Sequence, residues 1–61
     1  MNRLTDIAQL TRIMENQEAK DLVVKNWDKV VELSKDEVKS EEMIDALIEE
    51  NKETISVILA L

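Results

Sequence analysis

Residues 41–61 read EEMIDALIEENKETISVILAL, and this stretch decides which fold the chain can adopt. When it is placed on a helix at about 100° per residue, apolar side chains collect on one side and carboxylates on the opposite side. The apolar side contains Met43, Ile44, Leu47, Ile48, Ile55, Ile58 and Leu61. The carboxylate side contains Glu42, Asp45, Glu49 and Glu53. The pattern predicts an amphipathic helix over residues 41–60 whose apolar side must be covered.

The composition of the chain favours an all-α fold. Its 61 residues include no Gly and no Pro, the residues that normally form the tight turns of β-hairpins. Trp27 is the only aromatic residue, so a core would consist of aliphatic side chains. We therefore predict one helical domain over residues 1–61, with two or three amphipathic helices forming a helical hairpin or a small bundle.

Two further apolar arcs precede residue 41. They predict helices over residues 5–15 and 17–33, at spacings of three and four. On one straight helix the arcs would point in nearly opposite directions. Either Asn16 separates two helices, which we favour, or one long helix contacts different neighbours. Ser34 and Ser40 are both followed by carboxylates, as N-cap residues often are, and predict a turn over residues 34–40.

Part of the last predicted helix has the spacing of a coiled-coil seam. Alternating steps of three and four residues connect Ile44, Leu47, Asn51, Thr54, Ile58 and Leu61. Small domains without disulfides or metals commonly depend on association, so we expect oligomerisation to complete the fold. The predicted oligomer interface contains Trp27, Ile44, Leu47, Asn51, Ile55, Ile58 and Leu61. Alternatively, Asn51 and Thr54 lie at the edge of an ordinary helix-packing face.

The net negative charge comes entirely from the second half of the chain, residues 32–61. Residues 1–31 carry five basic and five acidic side chains, whereas the remainder accounts for the whole net charge of −6. This half should repel nucleic acids and anionic membranes and attract a basic protein. The apolar run over residues 55–61 is far shorter than the ~20 residues that cross a bilayer. Because no apolar run follows Met1, we expect no signal peptide and a cytoplasmic protein without membrane contact.

The residue inventory offers little for catalysis or metal binding. Without Cys or His, the chain has neither a disulfide framework nor the usual zinc ligands. Ser34, Ser40 and Ser56 have no His to activate them as nucleophiles. Most carboxylates fall on the polar side of the last predicted helix, where solvation explains them. We predict no enzymatic activity and no catalytic, cofactor or metal site.

The favoured function is a small protein–protein interaction or regulatory protein that acts as a helical oligomer. In a first alternative, Glu42, Asp45, Glu49 and Glu53 form an acidic face that imitates nucleic acid and inhibits a basic partner. In a second, residues 30–47 form the helix-turn-helix of a small transcriptional regulator. The carboxylates on its second helix disfavour that alternative, because they would face phosphates.

Overall fold

The computed structural model describes residues 2–61, so Met1, with which the predicted domain begins, lies outside the described residues. Within this part of the chain every regular element is a helix, and the all-α prediction is confirmed. The predicted number of two or three helices is wrong. In chain order the five helices are α1 (Arg3–Ile13), α2 (Gln17–Lys25), α3 (Trp27–Leu33), α4 (Glu37–Glu49) and α5 (Lys52–Ala60).

Asn or Asp side chains cap four of these helices. Asn2, Asn16, Asp36 and Asn51 each accept hydrogen bonds from backbone N–H groups in the first turn of the helix that follows. Such bonds satisfy donors that the helix itself leaves unpaired. Asn16 therefore starts α2 where the sequence favoured a break.

The connection before α4 is shorter than the predicted turn over residues 34–40. Asp36, rather than either serine, caps α4, and its Oδ1 accepts from the N–H groups of Val38 at 3.0 Å and Lys39 at 3.1 Å. Ser40 instead lies fully buried inside α4, where its hydroxyl donates to the Glu37 carbonyl. The last long helix thus begins at Glu37, four residues before the predicted start at residue 41.

The predicted helices over residues 17–33 and 41–60 are both interrupted. At the first interruption Asn26 leaves the helical conformation, and its side-chain amide donates to the Leu22 carbonyl at 2.8 Å. At the second, Glu50 adopts a left-handed conformation with φ 52° and ψ 39°. Asn51 N–H then donates to the Ala46 carbonyl and Glu50 N–H to the Leu47 carbonyl, the Schellman pattern that ends a helix.

A contact from the other half of the chain holds the second interruption in place. The Asn16 backbone N–H donates to the Glu50 carboxylate at 3.0 Å. The Asn16 side-chain amide donates to the Glu50 carbonyl at 3.1 Å. Since Asn16 also caps α2, one residue fixes both the start of α2 and the end of α4.

The interruption at Glu50 lets α5 pack within its own chain. Helix α5 contacts both α2 and α4, and α1 packs against α4. Ile55 and Ile58 are consequently buried, and the buried apolar side chains form one cluster. That cluster comprises Ile7, Met14, Ala19, Val23, Val30, Leu33, Met43, Ala46, Leu47, Ile55 and Ile58. The chain itself therefore supplies the cover that we expected oligomerisation to provide for Ile55 and Ile58.

The two halves of the chain have a similar organisation. In each half an Asx-capped helix is followed by a turn and a second Asn-capped helix of nine residues, with α3 between the halves. The buried pairs Ile7 and Met43, Thr11 and Leu47, and Ala19 and Ile55 are each 36 positions apart. Corresponding helices also pack on each other, α1 on α4 and α2 on α5. The sequence shows no repeat at these positions because the matching residues share burial rather than identity.

Candidate functional site

The carboxylates of α4 lie on its exposed side. The opposite side of this helix faces the core and carries the buried residues Ser40, Met43, Ala46 and Leu47. Glu42, Asp45 and Glu49 follow one another at three- and four-residue spacing and are all exposed. Glu53, the fourth member of the predicted acidic face, is exposed in the first turn of α5. The break before α5 therefore places it on a different helix from the other three.

A groove runs between α4 and α5 beside these carboxylates. We call it the α4–α5 groove, and its lining consists of Glu42, Asp45, Ala46, Glu49, Thr54, Val57, Ile58 and Leu61. Ala46 and Ile58 are buried and form its apolar floor. Val57 and Leu61 are each 64% exposed, so their side chains remain available to another molecule.

The structure separates the residues of the predicted oligomer interface. Leu47, Ile55 and Ile58 belong to the core, and Trp27 and Ile44 are partly buried against it. Of the seven residues, only Leu61 and Asn51 are exposed.

The predicted seam through Asn51 is wrong. It required one continuous helix over residues 41–60, whereas α4 ends at Glu49 and α5 begins at Lys52. The Asn51 side chain accepts from the N–H groups of Glu53 at 3.2 Å and Thr54 at 3.4 Å. Asn51 is polar because it caps a helix.

A second apolar groove lies between α1 and α4. We call it the α1–α4 groove, and it is lined by Asp6, Gln9, Leu10, Arg12, Ile13 and Ile44. Ile13 is 73% exposed, more than any other large apolar side chain among the described residues. The exposure of Ile13 is consistent with the sequence pattern, because Ile13 falls outside the apolar arc of the first predicted helix.

Ion pairs connect the two halves of the chain at the start of α1 and at the start of α2. Arg3 contacts Glu37 and Glu41 at 3.2 Å each, and Lys52 contacts Glu18 at 2.6 Å. The hydrogen bond and the charge of Glu18 raise the pKa of the Lys52 ammonium above its ordinary value. These pairs are at the surface, where water and salt screen the attraction between charges and ion pairs contribute little to stability.

The described residues give no support for a metal centre or an activated nucleophile. No group of three or more carboxylates within residues 2–61 is arranged to hold a metal ion. The hydroxyls of Ser34 and Ser40 donate to backbone carbonyls. None of the five helices over this range is long and apolar enough to cross a bilayer. Comparison with protein families, characterised proteins and solved structures finds no match for the chain.

Proposed function

We propose that this chain is a non-enzymatic protein-binding module that holds a partner in the α4–α5 groove. The observation that carries the proposal is the grouping of Val57 and Leu61, each 64% exposed, along a groove with an apolar floor. Burying a fully exposed Val or Leu side chain is worth about 1.5–3 kcal/mol, and covering either of these partly exposed side chains gains a fraction of that. A partner that covers both side chains gains part of the free energy needed for binding, because it removes their apolar surface from water.

The groove can be tested without knowing the natural partner. A library of random peptides displayed on phage would be selected on the immobilised chain. Bound clones would then be compared on Val57→Ser and on the matched control Val24→Ser. Val24 is also an exposed valine, at 59%, and lies in the nine-residue helix α2. Both variants should fold, because each replaces a side chain that faces solvent.

We expect clones that bind the wild type and Val24→Ser with equal affinity. Their affinity for Val57→Ser should be lower by about tenfold or more, since an apolar anchor of the peptide would lose its contact. If all selected clones bind Val57→Ser as well as the wild type, the α4–α5 groove is not the binding site. Failure to select any clone above background would also count against the proposal.

Self-association is a second candidate, and the α1–α4 groove favours it. Ile13 is highly exposed there, and the groove is lined by both an acidic side chain, Asp6, and a basic one, Arg12. In a two-fold symmetric dimer, Arg12 of one copy could face Asp6 of the other. Sedimentation equilibrium should then show a dimer that Ile13→Ser dissociates and Val24→Ser leaves intact. A monomeric wild type at high micromolar concentration would contradict this candidate.

The helix-turn-helix alternative gains little from the fold. Helix α3, the short turn and α4 retain its outline, but the exposed side of α4 carries Glu42, Asp45 and Glu49. These carboxylates would repel the phosphates of DNA. Inhibition of a basic protein remains compatible with the proposal, because the same carboxylates border the α4–α5 groove.

A further inference from the structure

The two walls of the α4–α5 groove differ in chemistry. Its α4 wall carries Glu42, Asp45 and Glu49, whereas its α5 wall exposes Val57 and Leu61. No Lys or Arg lines the groove. The ion pairs formed among residues 2–61 involve other carboxylates, those of Glu18, Glu37 and Glu41. The three wall carboxylates are therefore free to pair with charges that a partner brings.

We propose that the α4–α5 groove binds an amphipathic helix of another protein, with Lys or Arg along one side and aliphatic residues along the other. This inference rests on the proposed function and specifies its partner. The basic side of the bound helix faces the α4 wall, and its aliphatic side faces Val57, Leu61 and the groove floor. Charge complementarity selects the basic side, and the apolar α5 wall selects the aliphatic side.

Other occupants fit the groove less well. A second copy of the chain, with a net charge of −6, would bring its own carboxylates toward those of α4. Nucleic acid would be repelled for the same reason. An extended peptide that adds to a sheet needs a free strand edge, and residues 2–61 contain no strand. Polyproline ligands use aromatic-lined grooves, whereas this lining has no aromatic side chain.

The length of the α4 wall sets the length of the partner segment. At about 1.5 Å per residue, the rise from Glu42 to Glu49 is roughly 10 Å. A partner helix segment of about two turns, roughly eight residues, matches this length. Two aliphatic anchors three or four residues apart would lie on the same side of such a helix.

The carboxylates and the apolar side chains should contribute differently to binding. Exposed ion pairs are individually weak, so removing all three wall charges should reduce affinity about tenfold. Salt screens such pairs, and raising NaCl from about 50 mM to about 500 mM should weaken binding by a similar factor. Loss of an aliphatic anchor should remain damaging at either salt concentration.

Three synthetic peptides of about 14 residues test the proposal, each held helical by a staple on its solvent side because free helices of this length are marginal. The first peptide has Leu residues along one side of the helix and Lys residues along the adjacent side. The second replaces the Lys residues with Gln, and the third replaces the Leu residues with Ser. Fluorescence anisotropy would measure their affinities for the whole chain.

Matched protein variants separate a specific site from general attraction to an acidic protein. The wall variant combines Glu42→Gln, Asp45→Asn and Glu49→Gln. The control variant combines Glu15→Gln, Asp28→Asn and Glu32→Gln, which removes the same number of charges from exposed positions outside the groove. Circular dichroism would verify that both variants remain folded.

We expect the Lys/Leu peptide to bind the wild type and the control variant with equal affinity and the wall variant about tenfold more weakly. Its affinity should also fall when Val57 is replaced with Ser. Equal weakening in both variants would overturn the proposal, because it would indicate non-specific attraction. The proposal would also be overturned if the third peptide, which lacks Leu, bound the wild type as tightly as the first peptide. If the Gln peptide binds as tightly as the Lys peptide and depends on Val57, the basic partner is wrong while the proposed function stands. If no peptide depends on Val57, the helical partner is wrong, and the proposed function is also wrong if the phage-selected clones do not depend on Val57 either.

Discussion

Replacing Asn51 with Leu should destabilise the folded chain, although a continuous coiled-coil seam would predict the opposite. The Asn51 side chain accepts from two backbone N–H groups at the start of α5. Leu cannot accept them. Since residue 51 is exposed, a Leu at this position would also gain little from burial. The sign of the stability change therefore distinguishes the helix cap from the seam.

The size of the effect follows from the cap. Replacing an Asn cap with an aliphatic residue costs about 1 kcal/mol, within a range of about 0.5–2 kcal/mol. A chain of this size has a free energy of unfolding of roughly 3–9 kcal/mol, so the loss is a sizeable fraction of the total. It corresponds to a fall in Tm of about 4–8 °C per kcal/mol.

Thermal and urea unfolding followed by circular dichroism would measure this change at several protein concentrations. Asn51→Asp is the matched control, because its carboxylate can accept the same hydrogen bonds and should largely preserve stability. A higher Tm for Asn51→Leu that also rises with protein concentration would refute the cap and restore the seam.

Four further outcomes follow from burial, backbone conformation and charge. Ile58→Ala should lower the free energy of unfolding by about 2–5 kcal/mol, because Ile58 is 3% exposed. Val57→Ala should change it by less than about 0.5 kcal/mol in the same urea titration, and equal losses would contradict the observed orientation of α5. Glu50→Gly and Glu50→Ala both remove the carboxylate, but only Gly tolerates φ 52° without strain. The Gly variant should therefore be more stable than the Ala variant by about 1 kcal/mol and unfold at a higher urea concentration. A more stable Ala variant would mean that residue 50 is helical. Glu18 raises the pKa of Lys52 in the folded chain. The contribution of this pair to the free energy of unfolding is therefore complete below the pKa that Lys52 has in the unfolded chain, and it is lost as the pH rises through the higher pKa of the folded chain. Melts of wild type and Lys52→Met should thus differ at neutral pH and converge in strong alkali, whereas a constant difference would contradict the pair. Finally, acidification toward the pI of about 4.5 removes the net charge of −6, and light scattering should show association or precipitation there. Unchanged scattering would show that self-repulsion does not keep the chain dispersed.

Much of the local structure could be read from the sequence. Aliphatic residues at helical spacing, with no Gly or Pro, are sufficient to predict an all-α fold. Asn16 indicated the start of a helix because an Asn side chain can satisfy the N–H groups that a helix leaves free. The alternation of apolar residues and carboxylates likewise placed Glu42, Asp45 and Glu49 on the exposed side of α4.

The interruption at Glu50 could not be read from local sequence. Gly normally ends a helix in the left-handed conformation, and Glu carries no comparable signal. The hydrogen bonds that hold Glu50 come from Asn16, which is 34 residues away in sequence. Without that contact, residues 41–60 have the pattern of one helix, and Asn51 resembles a polar seam residue instead of a cap.

The α4–α5 groove shows the same division between sequence and tertiary structure. The sequence by itself determined that residues 41–61 are acidic on one side and apolar on the other, because helical periodicity depends only on spacing. Only the tertiary structure decided which apolar residues are buried and which remain exposed. After the turn at Glu50, α5 packs on α2 and α4, which buries Ile55 and Ile58 but leaves Val57 and Leu61 beside the α4 carboxylates.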